Sequence, residues 1–262
     1  MVLPLYKLSM KKIKTSQSVK GFIDFFRGKL EIIRSGDFPG DSQEKVLFQK
    51  ILYLTMIDTL SNVVYPQKRN RDRVVSFIQE FSDWRYRDRV SLPHLIRILE
   101  EAPGHEFSEL QKFAFSCFDE WTKLKDDKID LSRDPSYELV QKLWPKYRNK
   151  LKPIKIEGFS IKPEFIRHDH LFYAYRNSLV HELRELGYGI EGGPSEEDND
   201  EPFYHYMKHD SGDSWELVYP LGFFESMCKA VLEKLEDYCI KNRVDPYHSF
   251  TFGTYWIREL NR

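Results

Sequence analysis

Large apolar residues recurring at three- and four-residue steps constrain this chain to a mainly α fold. In residues 18–34 the stripe runs through Val19, Phe22, Phe26, Leu30 and Ile33, and Ser35, Gly36 and Asp37 then form a turn-prone stop. A longer helix is predicted over 41–64, capped by Asp41 or Ser42, with Pro66 beyond its end. Further helical patterns cover 71–84, 92–101, 108–125 and 136–147, punctuated by Ala102-Pro103-Gly104 and by Arg133-Asp134-Pro135. A long helix is expected from 163 to 186, stopped by Gly187 and Gly189. A final one, over 220–242, carries Phe223, Phe224, Met227, Val231, Leu235 and Tyr238 along one side.

Extended structure is sparse. Residues 154–161 alternate as one short strand, and 203–208 with 215–219 read as a two-stranded hairpin after the long helix. Between them, 191–201 form an acidic loop, and the aromatic end over 247–260 is expected to pack back as a short strand or turn. No internal repeat or linker composition appears, so the expectation is one domain over 1–262.

The bulk properties narrow the function. Aromatic residues reach 15%, enough to build a core on rings and leave some for stacking. A formal net charge of −1 argues against a protein that coats nucleic acid, while leaving room for one that grips a few phosphates. No apolar run approaches the roughly 18 residues of a membrane span, and no secretory leader pattern is present. The three cysteines (Cys117, Cys228, Cys239) form no CxxC pair and lie on aromatic-rich helical patterns, as buried thiols would. A cytoplasmic location is expected.

The most specific chemistry lies in 173–189. There Arg176-Asn177-Ser178-Leu179-Val180-His181 places a guanidinium and an imidazole within one helix. Arginine neutralises phosphate, and imidazole exchanges protons near neutral pH. Phe172, Tyr175, Leu179, Leu183 and Leu186 trace the expected buried stripe. Tyr173, Asn177, His181 and Arg184 recur on another face, with Arg176 beside it, so the polar set is expected to point away from the helix's own core. The spacing recurs at Arg89-x4-His94 and Arg243-x4-His248, but Pro93 and Pro246 interrupt those copies, and neither has a polar residue after the arginine.

Arg176-Asn177-x3-His181 resembles the R-x4-6-H signature of the HEPN superfamily of ribonucleases, in which a polar residue follows the arginine. The resemblance implies an antiparallel helical bundle, here with a small β-hairpin insertion after the motif helix. It also implies a homodimer whose two motifs meet as a composite site, and a metal-independent endoribonuclease with no cofactor. Single-stranded RNA would be cleaved to 2′,3′-cyclic phosphate and 5′-hydroxyl ends. By the same resemblance His181 would serve in acid–base catalysis, Arg176 would stabilise phosphate charge and Asn177 would orient the pair. Asp58, lodged in an otherwise apolar helix, and Tyr173 would support them. A toxin or antiviral defence role, with an antitoxin or trigger as partner, belongs to the same expectation. The alternative is a non-catalytic HEPN-like scaffold that binds RNA or protein.

Two other features invite function. Residues 142–155 interleave six basic side chains with Trp144 and Tyr147 and contain no acid, the make-up of a single-stranded RNA track. Lys142, Lys146, Arg148, Lys150 and Lys152 are its candidate phosphate ligands, and Lys68–Arg73 is a second basic cluster. His168-Asp169-His170 offers metal-ligand chemistry of the phosphohydrolase kind, though nothing fixes the further ligands such a site needs. No phosphate-binding glycine loop, GxSxG or HExxH occurs.

Overall fold

The computed structural model describes residues 3–102, 105–124, 127–187, 201–210 and 212–250. Most of the acidic segment 191–201 and the end of the chain beyond 250 lie outside them. Eight α-helices follow one another among the described residues: α1 (Leu3–Ser35), α2 (Ser42–Val64), α3 (Asn70–Phe81), α4 (Leu92–Glu101), α5 (Ser108–Lys123), α6 (Tyr137–Leu143), α7 (His168–Glu182) and α8 (Leu221–Asn242). Strands are short: β1 (Lys128–Asp130), β2 (Lys146–Tyr147), β3 (Lys150–Leu151), β4 (Ile154–Ile156), β5 (Phe159–Ile161), β6 (Phe203–Met207) and β7 (Ser214–Val218). The protein is therefore mainly α. None of the described helices is long and apolar enough to cross a membrane.

The sequence offers no boundary, yet the chain packs as two compact units, one of residues 1–83 with 224–262 and one of residues 84–223. In the first, α1, α2, α3 and most of α8 enclose Phe22, Tyr53, Leu54, Ile57, Phe77 and Phe224. The start of α2 follows its cap chemistry: Asp41 accepts from the amides of Gln43 and Glu44, and Glu44 accepts from the Asp41 amide at 3.1 Å. Cys228 and Cys239 are buried here and Cys117 of the other unit is half-buried; all three are free thiols. Burial pushes Cys239 up to about 11 and Cys228 further still.

The second unit packs α4–α7 with a three-stranded antiparallel sheet in the order β1-β6-β7. The expected hairpin is present, with Tyr204 opposite Leu217 and Tyr206 opposite Trp215. Its third strand, β1, pairs Ile129 with Tyr204 and was hidden in a charged stretch too short to show alternation.

Two expectations need correction. The helix predicted over 136–147 ends at Leu143, and the basic run beyond it folds into the β2–β3 hairpin. Arg148 (φ 48°) and Asn149 (φ 61°) both take left-handed backbone there, the geometry of a two-residue hairpin turn. Likewise 154–161 is two strands, β4 and β5, joined at Glu157 and Gly158 with positive φ. Alternation over eight residues cannot distinguish one strand from a hairpin whose turn keeps the same parity.

Candidate active site

Helix α7 is shorter than its apolar pattern suggested. Residues 163–166 form a separate 3-10 turn, and the helix ends at Leu183, whose φ of 54° is left-handed, four residues before Gly187. Ser178 Oγ donates to the Arg184 carbonyl at 2.8 Å, drawing the departing chain back over the last turn. Leu183 and Leu186 are therefore exposed (63% and 44%) and not part of the buried stripe.

Within α7 the motif residues meet. Arg176 Nη1 donates to Asn177 Oδ1 at 2.8 Å and lies 3.2 Å from His181 Nε2. The guanidinium is donor-only, so Nε2 must be the bare nitrogen and a neutral ring carries its proton on Nδ1. His181 is exposed, Asn177 is half-buried and Arg176 is only 5% exposed. Arg176 thus belongs to the interior, where the sequence placed it beside the polar face. Tyr173, expected on that face, is also buried. Asp58 lies on α2 in the other unit, where its carboxylate accepts from Arg73 Nη2 at 3.0 Å.

No protein-family model, curated protein or solved structure matches the chain.

The basic run divides by what each residue touches. Lys142, Lys146, Arg148 and Lys150 are exposed, and Tyr147 shows 64% of its surface with Arg148 stacked 5.2 Å from its ring. Lys152 is different: its ammonium pairs with both oxygens of Glu106, at 2.6 and 2.7 Å. Trp144 is core, with Nε1 donating to the Lys152 carbonyl at 2.7 Å, so Tyr147 is the ring this run leaves for stacking. The cluster at 68–73 is largely engaged internally: Lys68 with Ser76 and the Tyr65 ring, Arg69 with Asp72, Arg73 with Asp58.

His168 and Asp169 turn to different partners. Asp169 is buried and pairs with Arg167. His168 is buried and its Nε2 lies 2.6 Å from Asp134 Oδ2. Among the described residues no group of three or more His, Cys, Asp or Glu is placed to hold a metal ion.

His168 instead begins a buried relay that the sequence did not reveal. Asp134 accepts from the Leu92 amide at 2.8 Å and faces both His168 Nε2 and the Tyr204 hydroxyl, the latter at 2.9 Å. Tyr204 oxygen is 2.7 Å from Ser91 Oγ, which is 2.7 Å from His94 Nδ1. Tyr204 has one proton. Tyr204 donates it to the Asp134 carboxylate, so Ser91 donates to Tyr204 and accepts from Nδ1–H of His94. His94 Nε2 is left as a lone pair towards a cleft of about 450 Å³. The packing around the ring, and more weakly the imidazole of His168, lower His94 to about 4 even though the residue opens onto solvent. It is a neutral acceptor at neutral pH. Arg89 and His94 form the motif copy set aside for Pro93; that proline is tolerated in the first turn of α4, but Arg89 lies outside the helix.

Proposed function

We propose that the protein is a metal-independent endoribonuclease of HEPN type, with Arg176, Asn177 and His181 as half of a composite site. The observation that carries the reading is the contact of one guanidinium with both Asn177 Oδ1 and His181 Nε2. It fixes the ring's tautomer and turns Nδ1–H away from the arginine, so the exposed face of His181 presents a proton donor. In this reading the 2′-hydroxyl attacks the adjacent phosphorus and the P–O5′ bond breaks. His181 of one copy, neutral and released from Arg176 as the guanidinium turns to the phosphate, takes the 2′ proton at Nε2. His181 of the second copy, protonated to imidazolium, gives its Nδ1 proton to the departing O5′ and returns to neutral, leaving 2′,3′-cyclic phosphate and 5′-hydroxyl ends. Arg176 supplies positive charge to the phosphate. The exposed Lys146, Tyr147, Arg148 and Lys150 of the β2–β3 hairpin offer phosphate contacts and one stacking ring for single-stranded RNA. A HEPN-like bundle, a homodimer, a cytoplasmic setting, a role as toxin or defence effector, and an antitoxin or trigger as partner all belong to this proposal.

RNA cleavage in excess EDTA tests it, comparing the unaltered chain with His181→Ala and reading the ends of the products. Activity equal in the two, or dependent on added metal, removes the assignment. The burial of Arg176 favours a second reading, a binding protein in which arginine braces the helix end. Retention of RNA without cleavage, by a dimer with its motif intact, would decide for it.

A further inference from the structure

The cleft beside His94 lies wholly within residues 84–223 and is unlike the arginine–histidine motif in charge. Its walls include the rings of Phe118, Tyr175, Trp215 and Tyr219, and Glu100, Asp213 and Glu216 contribute carboxylates. One cation, Arg97, is among the lining residues, and it is already paired with Glu100 and, at 2.8 Å, with Glu101. Among the described residues Asp213 and Glu216 have no such partner: the first accepts from the Tyr206 hydroxyl and the second from Ser214 Oγ at 2.7 Å. Glu216 is half-buried and its side chain runs so close over Gly187 that a Cβ there would fall 2.4 Å from Oε2. Gly187 thus leaves room for the carboxylate, and Ser214 Oγ holds one of its oxygens.

We propose that this cleft binds a small organic cation of the guanidinium or alkylammonium class, held by Glu216 and Asp213, covered by the Trp215 and Tyr219 rings, and hydrogen-bonded to His94 Nε2. Each part of the chemistry favours such a group. Ring faces attract a positive charge. The carboxylates accept its N–H donors in charge-assisted bonds. The relay through Ser91, Tyr204 and Asp134 keeps His94 oriented as an acceptor. Its lowered proton affinity means that no second positive charge competes. The same carboxylates repel phosphate, so the cleft is no extension of an RNA track, and the inference stands whether or not the protein cuts RNA. A volume of about 450 Å³ is in the range of small-ligand sites.

The test is isothermal titration of the full chain with two cationic probes and their neutral counterparts. Agmatine represents a free small cation, and N-acetylarginine amide represents an arginine side chain in a peptide. Their ureido analogues keep the shape and remove the charge. The expected result is that at least one cation binds about tenfold more tightly than its ureido analogue. Glu216→Gln, which keeps the shape of the side chain, should weaken it about tenfold, and Trp215→Leu about fivefold. Whichever cation binds better identifies the source. Equal binding of cation and ureido analogue overturns the proposal. So does undiminished affinity in Glu216→Gln, or no heat from either cation up to about 10 mM, weaker than any ordinary specific site. Trp215→Leu counts only where its circular dichroism matches the parent; where it does not, Glu216→Gln decides.

Discussion

Replacing Tyr204 by phenylalanine isolates the buried relay. The ring is fully buried and packs 5.2 Å from Trp121, contacts that phenylalanine keeps. What disappears is one hydroxyl that donates to Asp134 Oδ2 at 2.9 Å and accepts from Ser91 Oγ at 2.7 Å. A hydrogen bond to a charged acceptor is worth about 1.5–3 kcal/mol. Ser91, itself buried, would lose its acceptor, which adds a penalty of about 1 kcal/mol unless the hydroxyl turns to His94. The sum is a loss of about 2–4 kcal/mol in the unit of residues 84–223. Urea denaturation followed by near-ultraviolet circular dichroism, which reports the tryptophan-rich surroundings, would measure it. Tyr206→Phe is the matched control, since the Tyr206 hydroxyl meets Asp213 in the open and its loss should leave the midpoint unchanged. If the two variants unfold at the same urea concentration, the relay contributes nothing and the ordered proton arrangement is wrong.

Acid should weaken the same unit. His94 is lowered to about 4 in the fold and returns near 6.5 when unfolded, so between those values the unfolded chain binds the extra proton. Stability contributed by His94 is present above pH 6.5 and is lost as pH falls towards 4. The difference corresponds to about 3 kcal/mol, which solvent at the exposed ring reduces to about 1. Urea midpoints at pH 7 and pH 5 would show it, and His94→Gln should flatten the difference. Asp41→Ala removes both amide contacts at the start of α2 and should cost about 1 kcal/mol in thermal or urea unfolding. For RNA binding, Arg148→Ala with Lys150→Ala should lower both the affinity for single-stranded RNA and its salt slope, whereas Lys152→Ala, already spent on Glu106, should leave the slope close to that of the parent. An unchanged slope in the double variant would remove the hairpin from the RNA site.

What the sequence disclosed follows from how local each cause is. The limits of α4 and the cap of α2 were legible because apolar spacing, Asp41 and the breaker residues at 102–104 all lie within a few positions of the helix ends. The β2–β3 hairpin was not, because its run of lysines and arginines carries no apolar period; only the left-handed backbone at Arg148 and Asn149 reveals the reversal. The end of α7 was misplaced for a related reason. Leu183 and Leu186 continue the stripe on paper, but the chain turns at Leu183 and leaves them outside. The contact of Arg176 with His181 was accessible from spacing within one helix. The relay joins residues 91, 94, 134, 168 and 204, brought together from four separate segments. Its only local sign was a pair of histidines near helix starts, which is no sign at all without the fold.

Helix α7 lets the two proposed sites, of opposite electrostatic character, share one small unit. At about 100° per residue, Leu171 and Tyr175 stand one turn apart on the face that lines the cleft, and Asn177 and His181 stand one turn apart on another. Arg176 lies between them in angle and points inward, so its long side chain reaches His181 without exposing a positive charge to the cleft. The carboxylates that would hold a cation come from the other side, on β7 and the turn before it. A phosphate drawn to Arg176 and His181, and a cation drawn to Glu216, would therefore meet different faces of the same helix. The physical consequence is that Tyr175 is the residue through which either ligand could be felt by the other: its ring lines the cleft, its backbone adjoins Arg176, and its hydroxyl is held by Glu185 just past the helix end.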